Sequence, residues 1–77
     1  MYIAGIEELN RITCAPEVMG GKPCIRGMRV TVGMVVGLLA ARRSVAEILL
    51  AYPYLEELDI RAALAYAAWR SRQEVRS

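Results

Sequence analysis

The stretch VGMVVGLLAARRSVAEILLAYPYLEELDIRAALAYAAWRS, residues 32–71, decides the fold. Its first ten residues, Val32 to Ala41, are apolar on every side of a helix and are followed by Arg42-Arg43, cations suited to a helix C-terminus. Ser44-Val45-Ala46-Glu47 then has the spacing of a capping box, in which the hydroxyl accepts from the amide three residues on and the carboxylate reaches back. The helix it opens carries Val45, Ile48, Leu49 and Tyr52 on one face and stops before Pro53. A tight connection, Tyr52-Pro53-Tyr54-Leu55, leads to a third helix predicted over 56–71. Glu56, Glu57 and Asp59 lie in its first turn, where carboxylates suit the dipole. Ile60, Leu64 and Ala67 form one apolar stripe on this helix, and Leu58, Ala62, Ala65 and Trp69 a second. One stripe can face the chain's own core; the other needs a partner. Helix, short helix, tight turn and longer helix make a tri-helical helix-turn-helix unit over 32–71.

Upstream the signals change from helix to strand and turn. Residues 1–9 show no clear period and read as an arm. Arg11-Ile12-Thr13-Cys14 reads as a short strand stopped by Ala15-Pro16, and Gly20-Gly21 as a turn. Cys24-Ile25 and Arg29-Val30-Thr31-Val32 read as further short strands, with a bend or bulge at Gly27. The expected fold is mainly α, with a small β element over 10–31 and a basic tail over 72–77, all in a single domain.

Size and composition point to self-association. The chain has 77 residues, of which 56% are hydrophobic, and its mean hydropathy is +0.29. A domain this small buries only roughly 60% of the surface its unfolded chain exposes, so apolar area is left over for a partner, most simply a second copy. The all-apolar first helix nominates Val32, Met34, Val35, Val36, Leu38 and Leu39 as a homodimer interface.

Several classes of function drop out. The longest charge-free run, Val30 to Ala41, is 12 residues and too short to span a bilayer. The first residues have no basic region or signal-peptide core, so a cytoplasmic protein without membrane contact is expected. With no histidine, imidazole catalysis and His-bearing zinc sites are absent. Cys14 and Cys24 have no C-x-x-C spacing and read as reduced thiols. Met19-Gly-Gly-Lys-Pro-Cys-Ile-Arg-Gly27 lacks the spacing of a nucleotide loop and reads as a hairpin turn. No nucleophile has an evident base, so no enzyme, cofactor, metal or small-molecule substrate is expected.

Charge is segregated along the chain. Residues 1–21 carry net −2, 22–43 net +5, 44–59 net −4 and 60–77 net +3. Lys22, Arg26, Arg29, Arg42 and Arg43 are therefore the candidate contacts to a polyanion such as double-stranded DNA. The third helix is less suited to a major groove, because the three carboxylates of its first turn would face phosphates.

The order of these motifs resembles the domain of unknown function 433 family. The residues that carry the resemblance are Ile12-Thr13, Pro16, Gly20-Gly21-Lys22-Pro23-Cys24-Ile25-Arg26-Gly27-Met28-Arg29-Val30, then Ser44, Glu47-Ile48-Leu49, Tyr52-Pro53, Leu55 and the run from Asp59 to Ala67. Met28, Thr31 and Arg43 depart from its usual Thr, Pro and Gly. The resemblance implies a homeodomain-like helix-turn-helix with a small N-terminal β element, usually dimeric. It also implies the antitoxin half of a toxin–antitoxin pair, which binds a PIN-like ribonuclease and its own operator DNA. On that reading Tyr66, Trp69, Arg70, Arg72 and Arg76 are the toxin-binding candidates, the arginines entering an acidic metal site. The competing expectations are a stand-alone helix-turn-helix DNA regulator and a structural dimerisation module.

Overall fold

The computed structural model describes residues 9–74. Two strands, β1 (Ile12–Thr13) and β2 (Cys24–Ile25), pair antiparallel, with Ile12 opposite Ile25 and Thr13 opposite Cys24. Three helices follow: α1 (Val32–Ala40), α2 (Val45–Ala51) and α3 (Glu57–Glu74). The protein is thus mainly helical, with a small two-stranded sheet ahead of the helices. The expected arm, apart from its last residue, and the end of the expected tail lie outside the described residues.

Between the strands the chain makes a left-handed turn over Met19–Gly21, where Met19, Gly20 and Gly21 all have positive φ. A second tight turn follows β2. Arg26 (φ 47) and Gly27 (φ 73) are both left-handed, and the Met28 amide donates to the Ile25 carbonyl at 2.8 Å. Two successive positive φ values match the twist of a hairpin, so the bend expected at Gly27 is a turn shared with Arg26. The returning segment does not continue as a strand. It touches the sheet at one bridge, Cys24 to Thr31, and leaves because Thr31 begins α1, its hydroxyl accepting the Met34 amide at 3.0 Å.

α1 ends by backbone geometry rather than by charge alone. Arg42 takes φ 70, the Arg42 amide donates to Leu39 and the Arg43 amide to Leu38, both at 3.0 Å. This is the Schellman closure usually made by glycine, here with Arg42 in the left-handed position. α2 opens with the predicted capping box: the Ser44 hydroxyl accepts from the Glu47 amide at 3.0 Å, and the Glu47 carboxylate accepts from the Ser44 amide at 2.8 Å.

The core joins the hairpin to all three helices: Ile25 and Val30 from the hairpin, Val32 and Val35 from α1, Ile48 from α2, Leu55 from the turn between α2 and α3, and Ile60 and Ala63 from α3. This corrects part of the expected dimer face. Val32 and Val35 are buried within the chain, and Val36, Leu38 and Leu39 are half-buried against the same core, which leaves Met34 as the exposed large side chain of α1. Gly33, Gly37 and Ala40 supply most of the rest of its outer side, so α1 needs no partner on every face. The two stripes expected on α3 are also redrawn. Its inward side is Asp59, Ile60, Ala62 and Ala63, and Leu64 faces out with Leu58 and Trp69. Among the described residues no helix is long and apolar enough to cross a membrane.

Candidate functional site

The start of α3 carries a dense polar network. Asp59 is fully buried, yet each of its carboxylate oxygens is met by hydrogen-bond donors. Oδ1 accepts from Arg11 Nη1 at 2.8 Å and from Arg26 Nε at 3.1 Å; Oδ2 accepts from Arg26 Nη2 at 2.8 Å and from the Glu56 amide at 2.8 Å. The last bond is the returning half of a helix cap, made here by aspartate at the third helical position. Arg11 Nη1 also meets Glu56 Oε1 at 2.8 Å, and Arg26 Nη2 the Tyr54 carbonyl at 2.9 Å. Burial pushes the Asp59 carboxyl up, but the bonds from Arg26, the Glu56 amide and Arg11 outweigh it and hold it below the usual carboxylate range. The same contacts raise both guanidinium groups, Arg11 through Glu56 and Asp59 and Arg26 through Asp59.

This network changes the reading of the acidic helix start. Of the three carboxylates expected to repel phosphate, Asp59 is enclosed by two arginines and Glu56 is paired with one of them. Sequence reasoning assigned Arg11 no role and placed Asp59 among exposed acids. The available signal was register: Asp59 lies three and four residues before Ala62 and Ala63, on the face that enters the core.

The five candidate DNA contacts fall at three places. Lys22 precedes β2, Arg26 and Arg29 lie in the hairpin turn, and Arg42 and Arg43 join α1 to α2; all five are exposed residues. Arg26 is the one committed elsewhere, its head group spent on Asp59. Arg29 lines a shallow depression with Met28, Val30 and Tyr54, and Arg43 borders a groove with Leu38, Glu47, Ile48, Ala51 and Tyr52.

The toxin-binding candidates divide in a similar way. Tyr66 is half-buried and its ring lies 5.7 Å from that of Trp69. Burial raises its hydroxyl pKa, as does neighbouring Cys14, while Arg70 opposes. Arg70 and Arg72 are exposed, and at about 100° per residue they point to different sides of α3. Arg76 lies outside the described residues. The outward side of α3 presents Leu58, Leu64 and Trp69, each 45–46% exposed, beside Ala65 and Ala68, with the exposed Arg61 among them.

Comparison with known proteins gives a family and one similar curated sequence. The uncharacterized protein y4eO of Sinorhizobium fredii (strain NBRC 101917 / NGR234) is 43% identical over 56 residues, which cover 73% of this chain. That stretch is 25% of the relative, so the chain spans about a quarter of the protein it matches. No solved structure matches. The family model for "protein of unknown function (DUF433)" matches residues 12–67, from β1 through most of α3, and the chain belongs to that family.

Proposed function

We propose that this chain is the antitoxin module of a toxin–antitoxin pair, a non-enzymatic protein that works by binding other proteins. The observation that carries this reading is the outward side of α3. In a homeodomain-like helix-turn-helix arrangement this is the side that would enter a DNA groove, and reading base edges there requires side chains with hydrogen-bonding groups. Leu58, Leu64, Ala65, Ala68 and Trp69 make most of that surface apolar, with Arg61 among them, the composition of a protein contact. Arg72, on the same side at the far end of the helix, supplies the cation that a nuclease with an acidic metal centre would accept.

The test is inhibition of a PIN-like ribonuclease recovered with the tagged chain. The full chain is expected to abolish RNA cleavage, and a chain truncated after Ala68 to leave it intact. Equal inhibition by both chains removes the C-terminal arginines from the mechanism, and cleavage unaffected by the full chain removes the antitoxin reading.

A second reading, operator binding, is favoured by the neutralised start of α3. With Asp59 and Glu56 paired to arginine, the repulsion expected there is reduced, and Lys22, Arg29, Arg42 and Arg43 stand exposed. It predicts duplex binding that weakens steeply with salt and falls when those four residues become alanine.

A further inference from the structure

A second surface is made by the hairpin turn, α1, α2 and the turn after α2, with no residue of α3. Leu38, Ile48, Ala51 and Tyr52 line a groove of about 270 Å³ bordered by Arg43 and Glu47. Met28, Arg29, Val30 and Tyr54 line a depression of about 220 Å³. The rings of Tyr52 and Tyr54 meet edge to face at 6.1 Å and so join the two hollows. Leu50, one turn beyond Glu47 on α2, is 82% exposed, the most exposed large apolar side chain among the described residues. The turn is held in place before any partner arrives. The Leu55 amide donates to the Tyr52 carbonyl and Arg26 Nη2 to the Tyr54 carbonyl, both at 2.9 Å. Arg29 and Arg43 are exposed and, unlike Arg11 and Arg26, have no ion pair among the described residues.

We propose that this surface docks a peptide segment of another protein in which large apolar side chains are flanked by carboxylates. Tyrosine, arginine and methionine are enriched where proteins meet, and all three surround the aliphatic groove here. Each hollow is smaller than the roughly 300–1,000 Å³ of small-molecule pockets, so each takes a side chain rather than a cofactor. One guanidinium group stands at each hollow to donate to a carboxylate. Glu47 is held on the Ser44 amide, which leaves Arg43 as the unpaired charge of the groove. Single-stranded nucleic acid is a poorer occupant. The tyrosine rings are inclined at 73°, which turns bases stacked on them out of a single run, and Leu38, Ile48 and Ala51 give a base no ring to stack on. A strand also carries a charge at every nucleotide, against one unpaired cation at each hollow. The proposal does not depend on the antitoxin reading and shares only Arg29 and Arg43 with the operator reading.

The experiment is selection of a random dodecapeptide display library on the immobilised full chain, followed by fluorescence anisotropy of the recovered peptides. These are expected to carry Asp or Glu on both sides of two or more large apolar residues. R29E and R43E each weaken their binding about tenfold, and L50D at least as much. L50A, which adds no charge to α2, weakens it in the same direction. Helical circular dichroism stays that of wild type in all four variants, since the three side chains are exposed. Recovery of no peptide overturns the proposal, as does recovery of peptides without acidic residues or of peptides that L50D and L50A bind as well as wild type does. A labelled single-stranded oligonucleotide of mixed sequence serves as the competing probe. If it binds more tightly than the selected peptides and is released by the same variants, the surface belongs to nucleic acid and the proposal falls.

Discussion

Arg26 and Asp59, 33 residues apart, meet through two hydrogen bonds of 3.1 and 2.8 Å that match the guanidinium fork to both carboxylate oxygens. The pairing fixes the hairpin turn, which carries Arg26, to the first turn of α3, which carries Asp59. It also holds Arg26 at φ 47, a left-handed conformation that costs a non-glycine residue about 1 kcal/mol. The bidentate geometry offsets that cost. A lysine at position 26 would keep the charge and lose the fork.

Replacing Asp59 by asparagine is expected to destabilise the fold by about 3 kcal/mol, since it leaves two guanidinium groups facing a neutral, buried amide. Arg26→Lys is expected to cost less, about 1 kcal/mol, because the Arg26 side chain is 38% exposed and water takes over part of its solvation. Urea midpoints of the two variants check the order. Equal losses would mean that the fork geometry, which lysine cannot reproduce, and not charge alone, holds the hairpin down.

The same carboxylate sets an acid limit. Its folded pKa lies below the unfolded value of 3.8, so its contribution to stability is complete above that value and is lost as pH falls through the folded pKa. Wild-type stability is expected to be level from about pH 5 to 7 with respect to this group and to drop below about pH 4. In Asp59→Asn this drop shrinks. The check is urea unfolding followed across pH 2.5–7, and an unchanged acid slope in the variant would assign the drop to other carboxylates.

Arg42→Gly is expected to stabilise the protein by about 0.5–1 kcal/mol, because φ 70 at the end of α1 suits glycine and strains arginine. The closing hydrogen bonds come from the backbone and survive the change. A rise of a few degrees in Tm is the expected readout, and a fall would mean that the Arg42 side chain makes a contact worth more than the strain.

Ser44→Ala is expected to cost about 1 kcal/mol by removing one arm of the capping box of α2. Glu47→Gln, which retains an acceptor for the Ser44 amide, is expected to cost a few tenths of a kcal/mol. Thermal melts of both variants decide whether the reciprocal pair is needed in a helix as short as seven residues.

Most of the helical layout was legible in the sequence, because it depends on local signals. The Ser44–Glu47 box and Pro53 set the ends of α2, and the start of α3 was placed within one residue. What local pattern could not supply was direction. The expected stripes on α3 grouped Leu64 with Ile60 and Ala67, yet Leu64 faces out while Ile60 is buried beside Asp59, Ala62 and Ala63. Hydrophobicity ranks leucine above alanine for burial, but helical register carries Ala62 and Ala63 inward with Asp59 and Ile60 and leaves Leu64 on the other side. Asp59 was misread for a related cause. Its two partners, Arg11 and Arg26, lie 48 and 33 positions away, beyond the reach of any spacing rule. The expected α1 dimer face failed in part for the opposite reason: a wholly apolar sequence has no polar side to show which residues turn inward.

Because Arg11 closes the network around Asp59, the practical edge of this unit falls before β1. The family match begins at Ile12, one residue after the arginine that contributes a guanidinium to the buried carboxylate. A fragment excised at the first matched residue would carry β1, β2 and α1 and still lose one of the two cations that neutralise its core. Grafting the domain into a longer protein, or cutting it from one, therefore succeeds or fails on a side chain that similarity alone would discard.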